Sequence, residues 1–321
     1  MTRRFHPTRR LILAGVPAAA LAQPAAWPDR AVELVVPFAA GGPTDRAARL
    51  LAAQLTEMLA TPITVENRTG IIVGTDIVAK AAPDGSVLLY ATIAHAIARA
   101  AFPILPYDPL RDFAPAVVIG RVPMVLLVAP SLPVRNVAEL IAFLRAHPGE
   151  LAYGSAGIGS ALHLAAELFC ARTGVQMGHV SYTGSAPALL GLQAGAVQMV
   201  FDTAASGLRA VREGIARGLM ITGTAREPGA ADIPTAQEAG LADFDAETWN
   251  AILAPRGTPA AVLASIAAAT ERALAVPVLA SAFAELGIHV ERGSTPAAAR
   301  AFLEAETARW EPVARAALGR N

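Results

Sequence analysis

The sequence predicts an α/β protein of two domains that share crossover strands. Three observations lead there. Short β-branched runs alternate with longer Ala/Leu-rich helical runs along the chain, the signature of a parallel α/β sheet. The chain has 321 residues, more than one ordinary domain holds. No fixed-period repeat, low-complexity linker or charge block divides it. Two domains are therefore expected to be threaded through each other, with crossovers near Val125 and Gly223.

The start of the chain sets its compartment. Met1 to Arg10 carries four arginines and no acid, Leu11 to Ala22 is apolar, and Ala20-Leu21-Ala22 is a small-x-small cleavage pattern before Gln23. That order is a secretory signal peptide over residues 1–22. The h-region is too short to cross a bilayer, which takes about 20 residues. Thr8-Arg9-Arg10-Leu11-Ile12-Leu13 also resembles a twin-arginine export signal, and the export route stays open.

Beyond it, Val32 to Pro37 predicts a strand, Phe38 to Pro43 a turn, and Thr44 to Leu59 a helix. In that helix Ala47, Leu50, Leu51, Leu55, Met58 and Leu59 share one stripe at helical spacing. Strands follow at Ile63–Glu66 and Val87–Ala91, the latter entered through the turn Pro83-Asp84-Gly85. Ala116–Ile119 and Met124–Val128 are strand-like, and Asn136 with Glu139 opens a helix through His147 as a capping box. Leu151–Tyr153 leads through a glycine-rich turn into a helix ending near Thr173. The alternation repeats with Val180–Tyr182, a helix from Ser185, Met199–Phe201, a helix from Ser206, and Leu219–Thr222. Thr258-Pro259 and Thr295-Pro296 each place a cap before a proline at the first helical position, so helices close the chain. The expected division is residues 27–124 with 224–321 as one discontinuous domain and 125–223 as the other.

Composition removes several function classes. The 26 basic and 26 acidic residues give a formal net charge of zero, so no global field draws nucleic acid or an anionic membrane. Hydrophobic residues make up 54% of the chain, but much of this is alanine, and no later run of about 18 apolar residues is unbroken. The single cysteine, Cys170, sits in an apolar helical pattern and reads as a small buried residue. The six histidines are scattered without ligand spacing, and no metal or cofactor is expected. Gly154-x-x-Gly157-x-Gly159 fails the dinucleotide pattern, because Leu162 stands where its last glycine belongs.

Three glycine-containing turns lie directly between a strand and a helix: Ala39 to Asp45, Gly154 to Ser160, and the weaker Thr183-Gly184-Ser185. Open α/β sheets bind ligands at the carboxyl ends of strands, and helix N-termini there favour anions. Any one of these turns is equally a tight connection; together, with Ser and Thr hydroxyls at the caps, they favour a carboxylate or phosphate site. Ser160 and His163 sit three apart, the spacing of a nucleophile and its base, but Ser160 as a cap and His163 as a packed or pocket-wall residue is the simpler reading. Asp202 ends the apolar strand Met199-Val200-Phe201, either bonding a helix N-terminus across the cleft or orienting ligand and water. No reactive constellation stands out, and the chain reads as a binding protein rather than an enzyme.

The motifs, in order, resemble the tripartite tricarboxylate transporter solute receptors, the Bug family. They include Leu34-Val35-Val36-Pro37-Phe38 with Gly41-Gly42-Pro43-Thr44-Asp45, Val65-Glu66-Asn67-Arg68, and Ala81-Ala82-Pro83-Asp84-Gly85. Tyr153-Gly154-Ser155-Ala156-Gly157 with His163-Leu164 and Glu167-Leu168-Phe169, Gly184 to Leu189, Phe201-Asp202 and Leu253-Ala254-Pro255 continue the series. The resemblance spans essentially the whole exported chain. It implies a periplasmic receptor of the type II periplasmic-binding-protein fold, each lobe a mostly parallel sheet flanked by helices, with two crossover strands as hinge. It implies a small carboxylate in the cleft, held by backbone amides, hydroxyls and waters, and delivery to the membrane permease subunits of a tripartite tricarboxylate transporter. Presentation of the closed form to a sensor kinase is the alternative, and the receptor is expected to be a monomer. The implied ligand-binding residues are Gly41, Gly42, Thr44, Asp45, Thr92, His95, Ser155, Gly157, Gly159, Ser160, His163, Tyr182 and Asp202.

The chain departs from the family pattern in places. Thr69-Gly70-Ile71-Ile72-Val73-Gly74 replaces a longer glycine-rich loop, and Ala98-Arg99 stands where Asn-Pro is usual. A more apolar wall in the first lobe is expected, and with it a carboxylate carrying an apolar or aromatic body.

Overall fold

The computed structural model describes residues 27–102, 104–242 and 244–318. The expected signal peptide lies outside them. Its strands, in chain order, are β1 (Val32–Val36), β2 (Ile63–Asn67), β3 (Val87–Ala91), β4 (Phe113–Val122), β5 (Met124–Val128) and β6 (Ala152–Ser155). They continue with β7 (Gly178–Ser181), β8 (Met199–Thr203), β9 (Arg217–Ile221), β10 (Thr248–Pro255) and β11 (His289–Val290). The helices are α1 (Pro43–Leu59), α2 (Ile71–Ala79), α3 (Ile93–Ala96), α4 (Ala98–Ala101), α5 (Val137–Ala146) and α6 (Ala161–Thr173). Then come α7 (Ser185–Gln193), α8 (Ala204–Arg212), α9 (Ala260–Leu274), α10 (Pro277–Glu285) and α11 (Pro296–Leu318).

The strands form two sheets, ordered β11-β4-β10-β3-β1-β2 and β7-β6-β8-β5-β9. The two-lobed α/β expectation holds, but each sheet is mixed rather than mostly parallel. In the first, β1 pairs parallel with β2 and β3, whereas β10 runs antiparallel to both β3 and β4. In the second, β6 pairs parallel with β7 and β8, whereas β5 runs antiparallel to β8 and β9. The reversed strands, β10 and β5, are those by which the chain enters one sheet from the other.

This register fixes where the lobes join. Val122 ends β4 opposite Thr248, the first residue of β10. Met124 begins β5 opposite Thr203, the last residue of β8. β4 therefore leaves the first sheet at the edge where β1 and β3 also end, and β5 enters the second at the edge where β8 and β6 end. The return passage, from Ile221 at the end of β9, leaves that same edge. The Met124 N–H donates to Thr222 Oγ1 (2.8 Å), and the Thr222 N–H donates to the Met124 carbonyl (2.8 Å). The outgoing and returning segments are thus clasped together.

Local packing follows the sequence with a few corrections. The inner face of α1 is Ala47, Ala48, Leu51, Ala52 and Leu55, while the expected Leu50 points outward at 37% exposure. Three alanines let that helix lie close to its sheet, and its buried leucines contribute about 1.5–3 kcal/mol each. Thr258 is not the cap of α9: its hydroxyl donates to the Pro255 carbonyl (2.8 Å) and Pro259 takes the cap position. Asn136 and Glu139 form the expected capping box, with Glu139 N–H on Asn136 Oδ1 at 2.8 Å. Strand β10, unmarked by alternation in the sequence, is buried along nearly its whole length, as a central strand should be.

α11 ties the lobes from outside, packing against β4, α3 and α4 of one and α6 of the other. Its Glu306, 2% exposed, accepts from both Trp249 Nε1 (2.9 Å) and Trp310 Nε1 (3.1 Å) on one oxygen, and Arg309 reaches the other at 2.9 Å. The largest apolar cluster runs from Val35, Leu89 and Phe113 through Leu303 and Trp310 to Leu126, Tyr153 and Phe201. Among the described residues no single helix is long and apolar enough to cross a membrane.

At the junction, Glu247 precedes β10 and faces both crossings: a Cβ at Gly223 would meet its Oε1 at 3.2 Å and Pro123 at 3.3 Å. Burial, with Asp245 beside it, pushes its carboxyl up to about 7, against the pull of Arg121 and His289. The folded protein therefore prefers Glu247 protonated. That stability is full below the ordinary carboxyl range and is lost as pH rises through about 7. Glu247→Gln should be near-neutral at pH 5 and stabilising at pH 8, by on the order of 1–3 kcal/mol in urea titrations. Loss of stability at pH 8 would contradict this account.

Candidate functional site

The first turn, Phe38 to Gly42, joins β1 to α1 at the carboxyl edge. Gly41 takes φ +84°, the left-handed region that favours glycine, and its N–H donates to Asp45 Oδ2 (2.8 Å). Asp45 is 3% exposed; its Oδ1 accepts from Asn67 Nδ2 (2.9 Å), and Arg49 pairs with it from the next helical turn (3.0 Å). Asn67 also donates to the Phe38 carbonyl (3.2 Å) and accepts from Arg49 (2.7 Å). Burial works to raise the Asp45 carboxyl, but Gly41, Arg49 and Asn67 together hold it below the ordinary range. The turn is thus shaped from beneath by a charged, fully engaged carboxylate. The first amides of α1 at Gly42 and Thr44 crown it. Gly42 is the N-cap at φ −72°, and a Cβ there would meet only the Ala39 carbonyl, at 3.7 Å.

Residues 69–73 do not form a loop wall. Gly70 (φ +114°) starts α2, which carries Ile71 and Ile72 half-buried and Val73 59% exposed. A Cβ at Gly74 would strike the Arg68 carbonyl at 2.8 Å and Pro37 at 3.0 Å, so this helix presses directly on the exit of β1. Thr92 caps α3, its hydroxyl accepting from the Ala94 N–H (3.3 Å). His95 is 3% exposed; its Nε2 donates to the Pro109 carbonyl (2.8 Å), and its ring meets Phe113 edge-on at 4.8 Å. Burial drives its imidazole down to about 4, so it is a neutral interior residue at physiological pH.

The second turn, Ala156 to Ser160, joins β6 to α6 at the other lobe's carboxyl edge. Gly157 and Gly159 take φ +124° and +77°, and Ile158 between them is 57% exposed. Ser160 is the N-cap of α6, its hydroxyl accepting from the His163 N–H (3.2 Å). That is a cap, not a nucleophile held by a base. The Gly159 N–H donates to His163 Nδ1 (3.2 Å), and Ser155 Oγ accepts from the Gly157 N–H (3.2 Å) and lies 2.7 Å from His179 Nε2. Ser155 and His163 are both 0% exposed.

The third turn brings Ser185 to Asp202. The Ser185 hydroxyl donates to Asp202 Oδ2 (2.6 Å), and the Thr203 N–H donates to Oδ1 (2.8 Å). Asp202 thus bonds the first residue of α7, a helix of its own lobe and not one across the cleft. Burial raises its carboxyl, while Ser185, Ser206 and the Thr203 N–H favour the charged form. The Tyr182 ring is packed under α7: a Cβ at Gly191 would fall 2.2 Å from its hydroxyl. Tyr182 meets the site through its backbone, whose N–H donates to the Ser155 carbonyl (3.0 Å).

The structure therefore sorts the expected residues into two kinds. Gly41, Gly42, Thr44, Ser155, Gly157, Gly159 and Ser160 form two turns at carboxyl edges that both adjoin the crossover. Asp45, His163 and Asp202 hold turns from behind, Thr92 caps α3, His95 is packed inside, and the half-buried Tyr182 ring lies against α7. Asn67, Arg49 and His179 were not singled out in the sequence, although Asn67 stands within a quoted motif; Ser185 was named only as part of the third turn. Amide-rich turns with few side-chain charges suit an anion held by backbone N–H groups. Among the described residues no group of three or more His, Cys, Asp or Glu side chains is placed to hold a metal.

Comparison with known proteins gives a consistent result. The family described as "Tripartite tricarboxylate transporter family receptor" matches residues 47–318. Protein BugT of Bordetella pertussis is 35% identical over 320 residues, covering 97% of this chain and 98% of its own. The solved structure of R. palustris Rpa4515 with adipate is 39% identical with a TM-score of 0.77, covering 91% of this chain and 98% of that one. MatC (Rpa3494) from Rhodopseudomonas palustris with bound malate is 35% identical with a TM-score of 0.76, covering 90% and 100%.

The Asp45 network makes a direct prediction. Asp45→Ala leaves the Gly41 N–H without its acceptor and the Asn67 amide with only the Phe38 carbonyl, and should lower stability by about 1–3 kcal/mol in urea titrations. A change within error of zero would mean that the carboxylate does not hold the turn.

Proposed function

From membership of the tripartite tricarboxylate transporter receptor family, to which this chain belongs, we propose that it captures a small carboxylate between its lobes for delivery to a membrane permease. The observation that carries the reading is the pair of glycine-containing turns, one per sheet, each opening a helix at the carboxyl edge beside the crossover. Backbone amides of Gly42, Thr44, Ile158 and the first turn of α6 meet the carboxylate, with the helix dipoles of α1 and α6 behind them, while the Gly157, Gly159 and Ser160 amides are engaged in holding the turn. Asp45, His163 and Asp202 serve by shaping those turns rather than by touching the ligand. The adipate and malate found with the two Rhodopseudomonas proteins support a dicarboxylate of this size.

An apolar ligand body fits the walls. Val73 at the start of α2 and Ile158 at the tip of the second turn are exposed large apolar residues, one in each lobe. Such side chains exclude water from a bound methylene chain, worth about 0.8 kcal/mol per CH2 buried. The lobes close on the ligand by bending at the Val122–Met124 and Ile221–Thr248 passages, and closure is driven by the ligand's preference for the closed form. The proposed lobes are residues 27–124 with 224–321 and residues 125–223. Function on the periplasmic side agrees with the family's receptors, and the mature chain is proposed to start at Gln23, which N-terminal sequencing of a periplasmic extract would read directly.

A thermal-shift and calorimetric screen should find stabilisation by adipate or malate and none by neutral sugars. A ligand at 100 times its Kd adds about 2.7 kcal/mol. Stabilisation by sugars or cations alone would overturn the reading. Gly42→Val should abolish binding while leaving the melting temperature of the ligand-free protein within a few degrees, because φ −72° accepts a side chain and its Cβ meets only the Ala39 carbonyl, at ordinary contact distance.

A further inference from the structure

Beneath the second turn lies a stack of three rings that contact with a ligand does not explain. The His163 and His179 rings are 4.2 Å apart and 23° from parallel, and Tyr153 stacks on His179 at 4.9 Å and on His163 at 6.2 Å. The Tyr153 hydroxyl donates to Glu167 Oε1 (2.5 Å), and His163 Nε2 lies 4.0 Å from that same oxygen. Each imidazole reaches one of the left-handed glycines of the turn. His163 Nδ1 accepts the Gly159 N–H, and His179 acts through Ser155, whose hydroxyl accepts the Gly157 N–H.

We infer that His163 is a positioning residue of this receptor: its Nδ1 lone pair, backed by the stacked His179, holds the second turn in its anion-receiving shape. The inference rests on the carboxylate reading given above. It follows from donor and acceptor chemistry. An amide N–H can point only at a lone pair, so Nδ1 carries no proton and the ring proton sits on Nε2, on the Glu167 side. Protonation would set N–H against N–H at Gly159 and bring a positive ring against its neighbour. Without that bond, the first-turn amides of α6 lose their common orientation.

The sign of the pH effect follows. The ionisable groups facing the pair are Glu167, from the next turn of α6, and Tyr153, from β6. Burial holds the His179 imidazole below its usual range, although Glu167 pulls the other way. The shaped turn is therefore the form with a bare Nδ1, and proton uptake at lower pH undoes it. Ligand affinity should fall in that direction beyond what protonation of the ligand accounts for.

Three proteins test this: wild type, His163→Asn, whose amide oxygen keeps an acceptor near Nδ1, and His163→Leu, which keeps bulk without one. Titration with adipate at pH 7.5 should show the Asn variant within about threefold of wild type and the Leu variant weaker by roughly tenfold, a single hydrogen bond's share. Between pH 7.5 and 5.5 wild type should lose more affinity than His163→Asn; ligand protonation is common to both and cancels. Equal binding by His163→Leu and wild type, or one shared pH profile for wild type and the Asn variant, would overturn the inference. A readout without ligand separates this from the carboxylate reading. Nitrogen-15 NMR of the ligand-free wild type at pH 7.5 should show the Nε2–H tautomer at His163, and an Nδ1–H or charged ring would overturn the inference. If wild type binds neither adipate nor malate, the carboxylate reading fails while the tautomer still decides the positioning role.

Discussion

The chain passes between its two sheets where the parallel strands of both come to their carboxyl ends, and the site's location follows from that passage. Because β4 leaves and β5 enters at those edges, the turns that follow β1 and β6 are brought to the same seam. Carboxyl edges are where glycine turns and helix N-termini collect in α/β sheets. The crossover thus brings two ordinary edges together as the two walls of the proposed site. It also explains the reversed strands β5 and β10, which a single parallel sheet would not contain. The paired hydrogen bonds between Met124 and Thr222 keep the two passages together, so the lobes have one seam to bend about.

At that seam the protein puts little charge toward the site and much toward its own support. Asp45, Asp202 and the His163–His179 pair each act on a backbone amide or on a hydroxyl beside a turn. This division is physically sensible. An anion held by amides needs those amides fixed beforehand, because each left free to rotate would have to be ordered on binding. A buried carboxylate under a turn does that fixing without itself facing the ligand. α11, with Trp249 and Trp310 sharing Glu306, contributes packing that spans the lobes.

Much of this was legible in the residues. The β1–turn–α1 unit, the capping box at Asn136 and Glu139, and the alternation through Met199–Phe201 all follow from local pattern, and the structure has most of them within a residue or two, although Ala116–Ile119 is only the middle of β4. Strand β10 was not legible, because a strand buried on both faces shows no alternation and Trp249 to Pro255 carries none. α2 was hidden by Gly70 and Gly74, which look like loop residues. The second of them is small because Pro37 and the Arg68 carbonyl press on it. The glycine turns at the carboxyl edges were found by composition, but the direction of the side chains behind them was not. Nothing in spacing tells that Tyr182 packs against Gly191, or that His179, from a neighbouring strand, stacks on His163.

The central claim is that two walls close about one seam on a bound carboxylate. It is tested most directly by an interlobe distance. Spin labels at Arg46→Cys in the first turn of α1 and Ala186→Cys in the first turn of α7, in a Cys170→Ala background, report from opposite lobes near the seam. With saturating adipate or malate the distance distribution should shift to shorter values and narrow. An unchanged distribution in a sample shown by calorimetry to be fully bound would contradict it.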